Sequence, residues 1–173
     1  LAKDPAIRSI ADLKGRKVRV MNSVMSMNMV KAMGGSPTPI SWGELYTSLD
    51  QGVVDAAENN PPSYESSRHF EVCRHYSLDE HLCLPDLLLM STRVWEGLTA
   101  QEQDILRGAI DRTIPFNRRI WTESEAASLA KVQAGGAEVH RPDKGPFQEA
   151  VRPVWEAHEA DLGDLIRRIQ EVR

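Results

Sequence analysis

At 173 residues, 41% of them hydrophobic and 27% charged, the chain has material for one buried core and little more. Its formal charge of −4 comes from interspersed acids and bases, without the basic face of a nucleic-acid binder. No apolar run reaches the ~18–20 residues that span a membrane, so direct insertion is excluded as a reading. The pairs Arg118-Arg119 and Arg167-Arg168 lie in helical patterns and read as solvated faces. The opening Leu1-Ala2-Lys3-Asp4-Pro5 has neither an initiator Met nor the charged-then-apolar pattern of a signal peptide, so further chain is expected ahead of it. Cys73 and Cys83 make no metal or redox motif and are expected as two free, partly buried thiols.

Along the chain, Lys17-Val18-Arg19-Val20-Met21 alternates and predicts a strand after a turn at Gly15. Ser26 to Met33 predicts a methionine-rich amphipathic helix, closed by Gly34-Gly35. A second strand is expected over 38–41, a helix over 44–51 closed by Gly52, and a third strand over 53–57. Behind the breakers Pro61-Pro62, residues 63–72 predict a helix. The apolar run over 84–91 suits a strand buried on both faces. Thr99 and Glu102 have capping-box spacing, so a long helix should start at Ala100, bend near Pro115 and stop at Gly135-Gly136. A strand over 137–140 and one last helix from about Phe147 through Ile169 complete the pattern. Strands alternating with helices of these lengths predict an α/β fold with helices on both sheet faces.

The sequence offers no activated nucleophile: no Gly-x-Ser-x-Gly elbow and no cysteine at a helix start. No catalytic residue is assigned. Gly34-Gly35 ends a helix instead of opening one, so it is no phosphate loop. His75, His81 and Cys83 are the only histidine-cysteine cluster, and their spacing matches no common zinc pattern, so neither a metal nor another cofactor is expected. Met21, Met25, Met27, Met29 and Met33 read as helix core. Arg19 is more informative, because a guanidinium within an apolar strand is costly to bury alone. It either pairs with a carboxylate of the protein, the commoner fate, or ends in a cleft where its fork can grip a ligand carboxylate. Asn22, Trp42, Asn59 and Asn60 follow strands or strand-like segments. Ligands in open α/β sheets sit beyond the carboxyl ends of strands. An arginine, an aromatic and several amides there describe a cleft for a polar anion.

The wording of the sequence adds a resemblance. Asp12-Leu13-Lys14-Gly15 followed by Lys17-Val18-Arg19-Val20 resembles a signature of the DctP-type solute-binding proteins of TRAP (tripartite ATP-independent periplasmic) transporters. So do, in order, Gly35-Ser36-Pro37-Thr38-Pro39, Glu44-Leu45-Tyr46, Gln51-Gly52-Val53-Val54-Asp55, Glu58-Asn59, His81 with Pro85, Trp95-Glu96-Gly97-Leu98, and Pro142-Asp143 with Phe147. The resemblance implies a bilobed periplasmic-binding-protein-like fold closing around one ligand. By that likeness, 1–84 and 125–173 form the second lobe, and 85–124 form a crossing segment and long hinge helix belonging with the first. The family's selectivity arginine falls on Arg19, its cleft asparagines on Asn22 and Asn59, its stacking aromatic on Trp42, and a residue near the cleft on His81. The family carries a long further stretch ahead of the position of Leu1, forming most of the first lobe. Without it the chain holds half a site, and its apolar edge over 85–98 is expected to seek a second copy.

The segment Ala57 to Ser63 with Leu78-Asp79-Glu80-His81 looks closest to members that take hexuronates, a ligand whose hydroxyls Asn60 would also meet. The function implied is a periplasmic receptor that clamps a small organic acid and delivers it to the membrane permease, without turnover. The alternative is a ligand-sensing domain of a regulator with a similar bilobed fold. A third, enzymatic reading would need His81 or His75 as base, with an orienting partner the sequence does not display.

Overall fold

A computed structural model describes residues 1–172. Its centre is β1 (Lys17–Val20), which pairs in parallel with β2 (Ser36–Pro39) on one side and β3 (Ala56–Ala57) on the other. β2 is the edge strand, which explains how it tolerates two prolines. Ser36 donates inward to Arg16 and Ile40 to Val20, so Pro37 and Pro39 occupy the outward positions where no N–H is needed. β4 (His75–Ser77) and β5 (Glu138–His140) form a second parallel pair. Ala2 bridges Ala56 on one side and His75 on the other, both antiparallel, and so splices the two parts together. The strand order across the splice is therefore β2-β1-β3, Ala2, β4-β5.

The helices are α1 (Val24–Ala32), α2 (Leu45–Asp50), α3 (Pro61–Ser66), α4 (Thr92–Glu96), α5 (Ala100–Ala134), α6 (Gly145–Glu156) and α7 (Glu159–Glu171). α1 and α6 cover one sheet face and α2, α3 and the end of α5 the other, as the alternation of strands and helices predicts. Val18 and Val20 point toward α1 and α6, packing with Met29, Val30, Met33 and Phe147. The opposite face carries Leu45, Leu49, Val54, Tyr64, Tyr76 and Val132 against α2, α3 and the end of α5. Gly35 permits the tight turn into β2, since a Cβ there would lie 2.9 Å from Val30 Cγ1. The capping box is formed: Thr99 Oγ1 accepts from the Glu102 N–H, and Glu102 accepts from the Thr99 N–H.

Several expectations need correction. The run over 84–91 has no regular structure and pairs with no strand among the described residues, and Leu87, Leu88 and Leu89 are 74%, 75% and 82% exposed. An apolar run signals burial only where a partner strand borders it, and none of β1–β5 does. The third strand shrinks to Ala56–Ala57, because Val53 and Val54 are spent in the turn behind α2. The helix expected over 63–72 starts earlier, at Pro61, and ends at Ser66; left-handed Arg68 then redirects the chain into a 3-10 turn, His69–Glu71. The single last helix is two, divided at Ala157-His158, where Glu159 and Asp161 supply a fresh acidic first turn. α5, by contrast, runs from Ala100 to Ala134 with Pro115 inside it, as the capping and stop signals predict; residues 111–120 are all exposed, so the carbonyl that Pro115 cannot serve is left to water. Both thiols are free, but Cys73 is sealed and Cys83 is exposed, so neither is partly buried. Of the methionines, Met29 and Met33 are core while Met21 and Met25 are exposed.

Candidate functional site

Parallel pairing sends the carboxyl ends of β1, β2, β3 and β4 to one edge of the spliced sheet. That edge carries Trp42 after β2, Asn22 after β1, Asn59 and Asn60 after β3, and His81 after β4. The predicted residues thus come after the carboxyl ends of four strands, in the spatial order of those strands. Arg19 lies within β1 on the face shared with Ala57, opposite Val18 and Val20.

Arg19 is 4% exposed. Its Nε donates to the Ile40 carbonyl at 2.9 Å, and its guanidinium carbon sits 5.7 Å from the Trp42 ring centroid. Among the described residues no carboxylate forms an ion pair with it. The commoner fate, an internal salt bridge, is therefore not the one taken. Burial pushes the Arg19 pKa down, and the charge of Glu58 partly offsets this; a guanidinium stays protonated regardless. The two terminal nitrogens have no hydrogen-bond partner among the described residues, yet they are not sealed from solvent. The fork is held by its stem and open at its tips.

Trp42 begins a 3-10 turn, Trp42–Glu44, and is itself 45% exposed. Beneath it, edge-on at 5.2 Å, lies His69, which is 1% exposed. His69 Nδ1 is sealed and has no hydrogen-bond partner among the described residues. Burial, and after it the Arg19 charge, push the His69 pKa down, so a neutral ring lies beside the guanidinium. No local pattern in the sequence singled out His69.

The amides divide. Asn22 is exposed two residues past β1. Asn59 Oδ1 accepts from the Asn60 N–H at 2.9 Å, and its carbonyl accepts from the Tyr76 hydroxyl at 2.7 Å. Asn60 is the N-cap of α3, its Oδ1 accepting from the Ser63 N–H at 2.8 Å. Each of Asn59 and Asn60 therefore has its oxygen engaged in holding the loop and keeps an NH2 to donate. His81 Nδ1 contacts Asp79 Oδ1 at 2.8 Å. Burial pushes the Asp79 carboxyl up, but the His81 bond and charge outweigh it and leave the pKa below its usual value. His75, His81 and Cys83 do not gather: His75 faces Asp4, Glu138 and His140 on the other sheet face, and Cys83 is exposed.

No helix among the described residues is long and apolar enough to cross a membrane. The pattern of the bacterial extracellular solute-binding proteins, family 7, matches residues 2–161. A TRAP periplasmic solute-binding protein from Sulfitobacter sp. NAS-14.1, solved with bound β-D-galacturonate, is 43% identical with a TM-score of 0.87, over 96% of this chain and 55% of its own. One from Chromohalobacter salexigens, solved with D-glucuronate, is 38% identical with a TM-score of 0.94, over 99% and 58%. The uncharacterised protein YiiZ of Salmonella typhimurium is 42% identical over 100% of this chain and 54% of its own length. The chain spans about half the length of the curated relatives it matches. It belongs to the family 7 bacterial extracellular solute-binding proteins.

Proposed function

We propose that the whole protein is the periplasmic receptor of a TRAP transporter, binding a hexuronate-class sugar acid and delivering it to the membrane permease without chemical turnover. The observation that carries this reading is Arg19: a buried guanidinium, fixed through Nε, with its fork unpaired among the described residues, near the sheet edge where ligands sit. A carboxylate on that fork gains two parallel charge-assisted bonds and satisfies a charge that the fold has already desolvated. The exposed Trp42 ring offers an apolar face to the sugar ring, and Asn22, Asn59 and Asn60 offer amides to its hydroxyls. His81, oriented by Asp79, approaches the same edge from β4.

In this reading residues 1–84 and 125–173 form the second lobe. Residues 85–124 belong with the first lobe and the hinge, which accords with the exposed apolar side chains on that stretch. Relatives solved with galacturonate and glucuronate support the ligand class. The test is calorimetric titration of the full-length protein with D-galacturonate and D-glucuronate, and with galactose and glucose as uncharged controls. The uronates bind and the neutral sugars do not. Arg19→Lys keeps the charge but loses the two-pronged fit and weakens uronate binding by about 2–4 kcal/mol. Affinity within about threefold of wild type would remove Arg19 from the site.

A further inference from the structure

We propose that His75, Glu138 and His140 form a binding site for a divalent transition metal of the zinc class, on the sheet face opposite Arg19. The three come from β4 and β5, whose parallel register sets His75 against Glu138 and Ser77 against His140. Residues in register or two apart share a face, so the donors converge without any loop having to deliver them. Tyr76 points the other way, into the core that Arg19's face shares, which puts the cluster on the far side.

His75 Nδ1 lies 3.2 Å from His140 Nε2, and a single oxygen, Glu138 Oε2, lies 3.6 Å from the first and 3.8 Å from the second. Zinc ligands at about 2.0–2.2 Å in tetrahedral array stand about 3.3–3.6 Å from one another. The observed triangle needs to contract by only a few tenths of an ångström. The remaining nitrogen of His75 contacts Asp4 Oδ1 at 2.6 Å. This is the carboxylate–histidine arrangement that fixes a metal-binding tautomer: Nε2–H donates to Asp4, and the Nδ1 lone pair is left facing the triangle. Both histidine side chains are mostly buried, at 11% and 14% exposure, so their rings are held before any ion arrives. Open depressions on either side, one lined by Lys3, Asp4 and His75 and the other by Arg8 and His140, give an ion access. With three protein ligands the fourth position falls to water. Arg8, beside His140, and Lys3 and Arg74, in the depression beside His75, oppose the cation, and the Asp4 and Glu138 carboxylates favour it. Two imidazoles and one carboxylate suit zinc, with nickel and copper as competitors.

Without an ion the same contacts amount to one N–H···N bond between the two rings, and the experiment separates these states. The full-length protein is titrated with Zn2+ against a colorimetric chelator, and with Co2+ followed by its visible absorption. One equivalent binds per chain, Co2+ gives the strong absorption of a four-coordinate site, and Zn2+ raises the thermal midpoint by mass action. His140→Gln and Glu138→Gln each weaken Zn2+ by more than about tenfold and abolish the cobalt band, and Asp4→Asn weakens it by about tenfold through His75. Glu138 is largely solvent-facing, so its variant tests the site even if His140→Gln folds poorly. Absence of saturable binding, or wild-type affinity in Glu138→Gln, overturns the proposal. Because no residue is shared with the Arg19 edge, uronate titration on the same samples reports separately on the receptor reading.

Discussion

Leu49 and Leu88 are the same residue in two regions of one chain, the first fully buried and the second 75% exposed. Around Leu49, α2 and α3 lie on the sheet, and the last turns of α5 join them through Ser128 and Val132, the residues of that helix that are buried. Around Leu88 the chain runs from His81 to Ser91 without a ladder, then through α4 into the solvated first two-thirds of α5, where Ile105, Ile114, Phe116, Ile120 and Trp121 face outward. Hydrophobic composition does not separate these regions. What separates them is whether another element borders the apolar face, since burial contributes only when water is displaced from both partners.

The sharpest way to break this contrast is a pair of truncations in the 173-residue chain. Leu49→Ala destabilises by about 2–5 kcal/mol, the cost of a core cavity. Leu88→Ala stays within about 0.5 kcal/mol. Denaturant titration measures both, and equal losses would show that the outlying stretch is packed after all. Next in size are the two helix caps. Asn60→Ala removes the α3 cap inside the packed region and lowers global stability by about 1 kcal/mol. Thr99→Ala instead frays the start of α5, which circular dichroism registers as lost helicity while the unfolding midpoint of the packed region holds.

The smallest effect is a slope. Burial and the Arg19 charge hold the His69 pKa below its unfolded value, so its contribution is complete above that value, near pH ~6.5, and is lost as pH falls through the lowered folded value. His140 is lowered too, by burial and then by Arg8, and acts in the same direction. The thermal midpoint therefore falls from about pH 7 to about pH 5, and His69→Phe flattens but does not abolish the decline. An unchanged slope in that variant would show that His69 titrates as it does in the unfolded chain.

What was legible in the sequence tracks how local its cause is. β1 follows from alternation, and the limits of α5 follow from Thr99, Glu102 and Gly135, all of which act within a few residues. The fate of residues 84–91 depends on what lies beside them, and the sequence of the run does not encode its neighbours. Arg19 was conspicuous because a charge in an apolar strand is locally anomalous. Trp42, Asn22 and Asn59 follow strands whose ends the pattern places, whereas β4, the strand ahead of His81, is not among the predicted ones, and His81 enters only through the resemblance. Asn60 before Pro61 is a helix-start signal, Asn at the cap and Pro at the first position, and it accounts for the Asn60 oxygen better than a ligand does. His69 carries no local mark. His75 and His140 meet across 65 residues of chain, a distance no spacing rule reaches.

Ala2 is one residue joining two ladders. Its N–H donates to His75 at 2.8 Å, His75 returns a bond at 3.2 Å, and Leu1 accepts from Ala57 at 2.9 Å. Mechanically that makes it a seam. Tension applied at the amino end of this segment is borne first by these backbone bonds, while the Tyr76 hydroxyl on the Asn59 carbonyl ties β4 to the loop after β3 independently. The strand that holds Arg19 and the strand that leads to His81 are thus spliced along the backbone through Ala2, so the two sides of the candidate site share a support that contributes no residue to it.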